Sequence, residues 1–460
     1  MGILVFTYVK EFHQHCSLTG DKVTIQRAKK EKNLAVFWKI SIFAETKSNG
    51  TVLDLHTVLT EGLFGIRQTV SFFIFHWLTA FKSRHFFCMV ADKTITVPAL
   101  ADVHVHFREP GFSYKETIRT GSLAAAAGGY TCVCPMPNLS PVPDCPENLQ
   151  QELDIIRRDA VIDVRPYASI TLGRKGLEVV DVAALKGSCV AFSDDGSGVQ
   201  DREVMRKAMG LIASHGCILA AHCEDNSLLN GGYINDGAYA REHGHKGISS
   251  RSEWAQIERD LALAEECGCA YHVCHISTAK SVELIREAKA RGVDVTCETA
   301  PHYILLCDDD LREDGRFKMN PPLRGASDRD AILEGLLDGT IDMIATDHAP
   351  HSAEEKSRGL KDSAMGITGL ETAFPLLYTH LVRTGVITLD RLAELMSTAP
   401  RKRFRLPAAG RDKAVFRVDE PYVIDSSKFF SKGHSTPFEG WEVYGRCVQT
   451  VHKGKTVFKI

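Results

Sequence analysis

Two histidines separated by one residue carry the first chemical signal in this chain. They lie in Asp102-Val-His-Val-His106-Phe-Arg-Glu-Pro-Gly111, directly after a short apolar run, TITVPALAD, that reads as a buried strand. Side chains alternate faces along a strand, so His104 and His106 project together. Two imidazoles on one face at a strand end are half of a first-row metal site. Arg108 places a cation two residues further on. An isolated H-x-H is more often a pair of surface histidines, so the reading depends on whether the chain supplies further ligands.

It does, in regular order. Asp194 and Asp195 stand in AFSDDG, His222 in AAHCED, His275 in HVCHIS and Asp347 in IATDHAPH, each at the end of an apolar segment. Four histidines with Asp195 and Asp347 exceed the needs of one tetrahedral zinc and suit two metals that share a carboxylate and a solvent oxygen. Two cations on one oxygen lower its pKa, which provides a hydrolytic nucleophile near neutral pH. Each residue also has a plain alternative. His222 and His275 could be buried, hydrogen-bonded histidines; Asp194 and Asp195 could form an Asp-Gly turn; Asp347 could cap the next turn. His272 competes with His275, because residues three apart face opposite sides of a strand. The position nearest the strand end favours His275.

The elements that must position these residues alternate from residue 91 onward. Apolar strand-like segments read at TVPALADVHVH, TCVCPMPN, DVRPYASIT, CVAFSDDG, CILAAHCED, AYHVCHIS, VDVTCETAPH and IDMIATDHAP. Helical segments read between them, from YKETIRTGSLAAAAGG to GLETAFPLLYTHLVRTG, and several end at glycine. Eight β/α units predict a closed (β/α)8 TIM-like barrel over residues 91–387, with a doubly wound open sheet as the alternative. The barrel is favoured because the polar residues recur at strand C-termini, the rim where barrel active sites lie. Residues 388–460 begin with a helix, LDRLAELMSTAP, and continue into alternating short strands of a small β-domain.

Composition narrows the class. Charged residues are 25% of the chain and the formal net charge is −3, which gives no footprint for nucleic acid. The 14 cysteines are scattered, with none in C-x-x-C spacing, which argues for reduced thiols of a cytoplasmic protein rather than a disulfide framework or a zinc ribbon. The first 90 residues differ. They hold none of the 17 prolines and 14 of the 37 aromatic residues, with 11 Lys+Arg against 6 Asp+Glu, a shift that argues for a separate origin or a separate structural role. Their apolar run Val70–Phe81 is too short to span a membrane and contains His76, so no membrane partner is expected.

The motifs DVHVHFREPG, GGYTCVCPMPN, PYASIT, AFSDDGSGVQ, AHCEDNSL, YHVCHIST, KMNPPLR, LLDGTIDMIATDHAPH and GITGLETAFPLLYT, with FFSKGHSTPFEGW near the end, make the chain resemble bacterial class I dihydroorotases of the amidohydrolase superfamily. The resemblance implies reversible, zinc-dependent cyclisation of N-carbamoyl-L-aspartate to L-dihydroorotate in pyrimidine biosynthesis. It implies one or two zinc ions per subunit, two being favoured, held by His104, His106, Asp195, His222, His275 and Asp347, with Asp195 bridging, Asp194 unbound and Asp347 also the proton-transfer group. Substrate contacts would fall to His106, Arg108, Asn138, Asn320 and His351, with the backbone at Met365 and Gly366 closing over the ring. A homodimer and association with aspartate transcarbamoylase are further implications. Hydantoinases and allantoinases resemble this pattern but typically bridge their metals with a carboxylated lysine, where this chain reads SDDG; they form the enzymatic alternative.

The resemblance stops short at both ends. The family begins with about fifty residues of short strands that complete a β-sandwich with C-terminal strands, and residues 1–90 do not resemble them; a shifted reading frame or misassigned start would produce such a segment. RLPAAGRDKAVFRVDEPYVID also lacks residues around a strand the family usually has. A folded, non-catalytic relative that serves as a partner of aspartate transcarbamoylase is therefore a second class of reading, opposed by the retention of every ligand position.

Overall fold

The structure is a computed structural model that describes residues 94–460 and, before them, only the backbone pairing of Val5–Phe6 with Ser41–Ile42 and of Leu18–Thr19 with Lys22–Val23. The expectations for residues 1–90, including the Val70–Phe81 run, lie outside the described residues.

The eight predicted β/α units close into a parallel barrel. Leu100–Val105 pairs with Tyr130–Pro135, which pairs with Asp163–Val164. The third unit then bridges Ala168 to Phe192, and Phe192 bridges to Leu219. Ile218–Ala221 pairs with Ala270–Val273, that strand with Val295–Thr299, and that one with Met343–Ile344. Closure comes where His348 bridges Val105, the His106 N–H donating to the His348 carbonyl at 2.8 Å. That bond excludes the open sheet. The fourth strand is reduced to residues around Ala191–Phe192, held by bonds such as Phe192 N–H to Ile218 O at 3.0 Å.

Helices wrap the outside for local reasons. Arg202–Ser214 is capped by Asp201, whose carboxylate accepts the Glu203 and Val204 N–H groups. It buries Met205, Ala208, Met209 and Ile212, one stripe at helical spacing. Arg251–Cys267 ends at Gly268 in the left-handed region with φ 60°, as the glycine after its apolar pattern predicts. Two helices depart from the expected form. EVVDVAALKG yields only Val182–Leu185, and GLETAFPLLYTHLVRTG widens after Ala373–Leu377 into a π-type turn over Tyr378–Val382. No helix among the described residues is long and apolar enough to cross a membrane.

The run TITVPALADVHVH is two strands, not one. Thr94–Pro98 pairs antiparallel with Lys413–Arg417 in a four-stranded sheet completed by Arg446–His452 and Lys455–Lys459. Only Leu100–Val105 enters the barrel. Apolar periodicity alone cannot mark that break, because both halves bury side chains. The sheet packs on the barrel through Phe416, stacked on Phe374 with ring centroids 3.6 Å apart.

The barrel interior is lined by small side chains, among them Ala101, Val103, Cys132, Cys134, Ala191 and Ala220. The 12 cysteines among the described residues are free thiols, and Cys132 and Cys134 help fill this narrow interior. Phe404 and Leu406, from the chain after Ala399–Arg403, plug the end opposite the rim. Flanking arginines secure them: Arg403 donates to Tyr271 O at 2.8 Å and Arg405 to Gly216 O at 3.1 Å. Phe404 meets Tyr167 and His272 edge-on. Truncation of this buried ring should therefore leave a cavity on the barrel axis. Phe404→Ala is expected to destabilise the fold by about 3–5 kcal/mol, read from the urea unfolding transition; a shift under about 1 kcal/mol would mean the plug carries little of the packing.

Candidate active site

The six candidate metal ligands lie at the C-terminal rim of the barrel. His104 is the penultimate residue of the first strand and His106 follows its end. Below them Asp102 accepts the N–H groups of His104 at 2.9 Å and Thr346 at 3.0 Å, which fixes the first strand against the eighth. His222 directly follows the fifth strand, His275 stands two residues past the sixth and Asp347 three past the eighth, and Asp195 follows the fourth. Three non-glycine residues here have left-handed backbones: Arg108 at φ 58°, His275 at 33° and Asp347 at 47°. Such conformations cost of order 1–3 kcal/mol each and persist where surrounding structure imposes them.

The side chains converge on one buried space. Asp195 Oδ1 lies 3.4 Å from His104 Nε2, 3.6 Å from His275 Nε2 and 3.7 Å from His222 Nδ1. Its Oδ2 lies 3.6 Å from His106 Nε2, and Asp347 Oδ1 lies 3.1 Å from the same nitrogen. His222 Nδ1 and His275 Nε2 are 3.0 Å apart. Asp195 Oδ1 and His104 Nε2 are nevertheless buried without a hydrogen-bond partner. Buried carboxylates and imidazole nitrogens aimed at one another without partners are the donor set a cation satisfies. The groups His104–Asp195–His275 and His104–His106–Asp347 each present ligand atoms close enough for one ion. The residues therefore fit the metal that this class of site implies.

Neighbours hold the donors in place. Burial favours protonation of Asp347, but the His106 hydrogen bond and the charge of His104 outweigh it and keep the carboxyl well below its ordinary range. Asp194 points away, accepting the N–H groups of Ile170 at 2.8 Å and Thr171 at 3.1 Å and the Thr171 hydroxyl. His272 also turns from the cluster, its Nδ1 at 2.8 Å from Thr296 Oγ1 and its Nε2 at 3.2 Å from Glu298. Of the two strand-six candidates, only His275 faces Asp195.

Glu298 was not among the sequence-selected residues. Its carboxylate spans His272 and His104, with Oε1 2.6 Å from His104 Nδ1. Burial works against its charge, yet the His104 charge and hydrogen bond bring its pKa down to about 2. The available signal was a glutamate inside the apolar strand VTCET, since a buried strand carries a carboxylate only with a partner. Arg174 was also missed. It donates to the Asp195 carbonyl and to Ser197 Oγ, bracing the fourth-strand turn.

The remaining candidates ring the cluster. Asn138 Oδ1 lies 2.9 Å from His106 Nδ1, and Asn320 Nδ2 lies 3.4 Å from His222 Nε2. Arg108 donates to Pro350 O at 3.3 Å and meets His351 Nε2 at 3.3 Å. That nitrogen also lies 2.8 Å from Met365 O. Burial and the charges of Arg108 and Lys115 bring the His351 pKa down to about 3, so it is a neutral ring among cations. At Gly366, φ is 134° and an added Cβ would lie 2.6 Å from Ala349 O, so only glycine fits this turn.

A (β/α)8 barrel with this rim of histidines and aspartates is that of a metal-dependent cyclic amidohydrolase. Residues 93–281 match the family model described as dihydro-orotase-like. The chain is 51% identical over 378 residues to the dihydroorotase of Ligilactobacillus salivarius (strain UCC118), covering 80% of this chain and 88% of that one. It is 51% identical to the dihydroorotase of Bacillus caldolyticus, covering 79% and 87%. The chain belongs to the dihydroorotase family. Among solved structures it is similar to the L-hydantoinase (dihydropyrimidinase) of Arthrobacter aurescens, with TM-score 0.71 and 25% identity, over 80% of this chain and 86% of that one.

Glu298 generates a prediction. Glu298→Gln keeps the shape of the side chain but removes the charge that orients and polarises His104. Metal affinity should fall about 10- to 100-fold, measured by chelator competition. Unchanged affinity would show that Glu298 serves the barrel core alone.

Proposed function

We propose that this chain interconverts N-carbamoyl-L-aspartate and L-dihydroorotate, the reaction its family relationship and site chemistry support together. The observation that carries the reading is the buried convergence of six donors from five strand ends, with Arg108 on the same rim. His104, His106 and Asp347 would hold one zinc ion and His222 and His275 a second, with Asp195 between them. When bound, such ions supply Lewis acidity, polarising an amide carbonyl and making water a competent nucleophile near neutral pH.

The protein's own residues do the rest. In the hydrolytic direction water attacks the ring amide carbon and the C–N bond breaks. Asp347, held ionised, accepts the proton of the attacking water and returns it to the leaving ring nitrogen. Arg108 receives the substrate carboxylate, for which a planar guanidinium offers two parallel donors. His106 turns its Nδ1 to Asn138, which leaves Nε2 directed at the cluster. Asn320 stands on the opposite side, beside His222. The Met365–Gly366 backbone would cover the ring, with His351 Nε2 standing between that loop and Arg108.

Purified protein reconstituted with zinc should hydrolyse L-dihydroorotate well above any hydantoin or allantoin, followed by loss of ring absorbance. Absence of turnover in protein with bound metal would overturn the reading and favour the non-catalytic alternative. Metal analysis of the same sample gives the number of ions per chain, expected to be two. Asp347→Asn should lower kcat at least about 1,000-fold while most metal stays bound, because the amide still coordinates but cannot accept the proton. Near-wild-type turnover would remove Asp347 from proton transfer.

A further inference from the structure

The short helix Ala353–Lys356 carries a lysine that the chemistry above does not use. Ser352 and Glu355 form its capping box, and the Glu355 carboxylate also takes Lys115 Nζ at 2.9 Å. Lys356 turns inward and is only 7% exposed. Its Nζ donates to Lys318 O at 3.0 Å and to Ala364 O at 2.7 Å. The Lys318 carbonyl also accepts the Gly366 N–H at 3.1 Å.

These two carbonyls belong to the segments that frame the mouth of the site. Lys318 stands two residues before Asn320, and Ala364 immediately precedes Met365–Gly366. A buried ammonium is costly unless hydrogen-bonded, and a methionine would fill the same space without that cost. The lysine contributes what methionine cannot, a charged link between two loop carbonyls.

We propose that Lys356 is a positioning residue for substrate binding: its ammonium ties the Asn320 segment to the Met365–Gly366 segment and so sets the gap in which the ring is held. The inference rests on the dihydroorotase reading for its substrate. Three charged side chains bear on this ammonium: Lys318 with like charge, and Asp314 and Glu355 with opposite charge. Burial and then Lys318 bring its pKa down to about 7, so the charge that strengthens the link is lost as pH rises through neutrality.

The test is steady-state kinetics of zinc-loaded Lys356→Met with L-dihydroorotate. KM should rise about tenfold with kcat within about threefold of wild type and metal content unchanged, the signature of lost binding rather than lost chemistry. The ratio of variant to wild-type KM should shrink between about pH 6 and pH 9, because the wild type loses its charge over that range. Lys356→Gln, which keeps a donor without charge, should fall between the two and replaces the methionine variant if that one does not fold. A kcat loss with KM unchanged, or no change in either constant, would overturn the proposal. If the wild type itself fails to turn over dihydroorotate, the functional reading fails, and amide hydrogen exchange decides the loop link separately. The Gly366 amide should exchange faster in the variant, and unchanged exchange there overturns the link.

Discussion

The structure depends on a buried carboxylate, Glu298, placed between two imidazoles on the barrel axis. Below it His272 is held by Thr296 and packs edge-on against the Phe404 plug. Above it His104 donates from Nδ1 to the carboxylate and points its other nitrogen at Asp195. A column of polar contacts thus runs from the closed end of the barrel to the metal-binding rim. Burial disfavours charge on His104, but Asp195 and then Glu298 reverse that preference and raise its pKa well above the ordinary histidine value. Such a cluster is stable only if each group has a partner, and the unpartnered His104 Nε2 and Asp195 Oδ1 face each other across a space that a cation would fill.

That constraint explains where strain is stored. His275 and Asp347 leave their strands with left-handed backbones, and Arg108 does so in the first loop. The strands are short and end abruptly, and a chain that continued in extended form would carry these side chains past the cluster. Closure of the barrel through Val105 and His348 gives the backbone little freedom to relax them. The outer loops are less constrained and differ in kind. They place Arg108, His351 and Asn320 through side-chain and carbonyl hydrogen bonds rather than strand register.

The likeness to an L-hydantoinase shows that the barrel frame is shared with that protein. At the fourth strand end of the present chain, Asp194 and Asp195 take different directions. Asp194 pins the turn to Ile170 and Thr171, and Asp195 faces the four histidines. The two neighbouring carboxylates have identical chemistry, and only the direction each side chain takes separates them.

The eight-unit alternation and the positions of the rim residues are legible in the order of residues alone, because strand-end polarity recurs at regular intervals in an apolar background. His104, His106, Asp195, His222, His275 and Asp347 were all legible as residues after apolar runs. Tertiary structure decided what short-range pattern cannot hold. It split TITVPALADVHVH between two sheets, since burial of both halves erases the break. It separated His275 from His272 by backbone direction at the strand end. It also revealed Glu298, Arg174 and Lys356, whose partners lie far away in the chain: 194 residues separate Glu298 from His104, and 38 separate Lys356 from the Lys318 carbonyl. A residue whose role is set by a distant partner leaves only a faint local trace, a charge where the pattern asks for an apolar side chain, and the fold supplies the partner that gives it meaning.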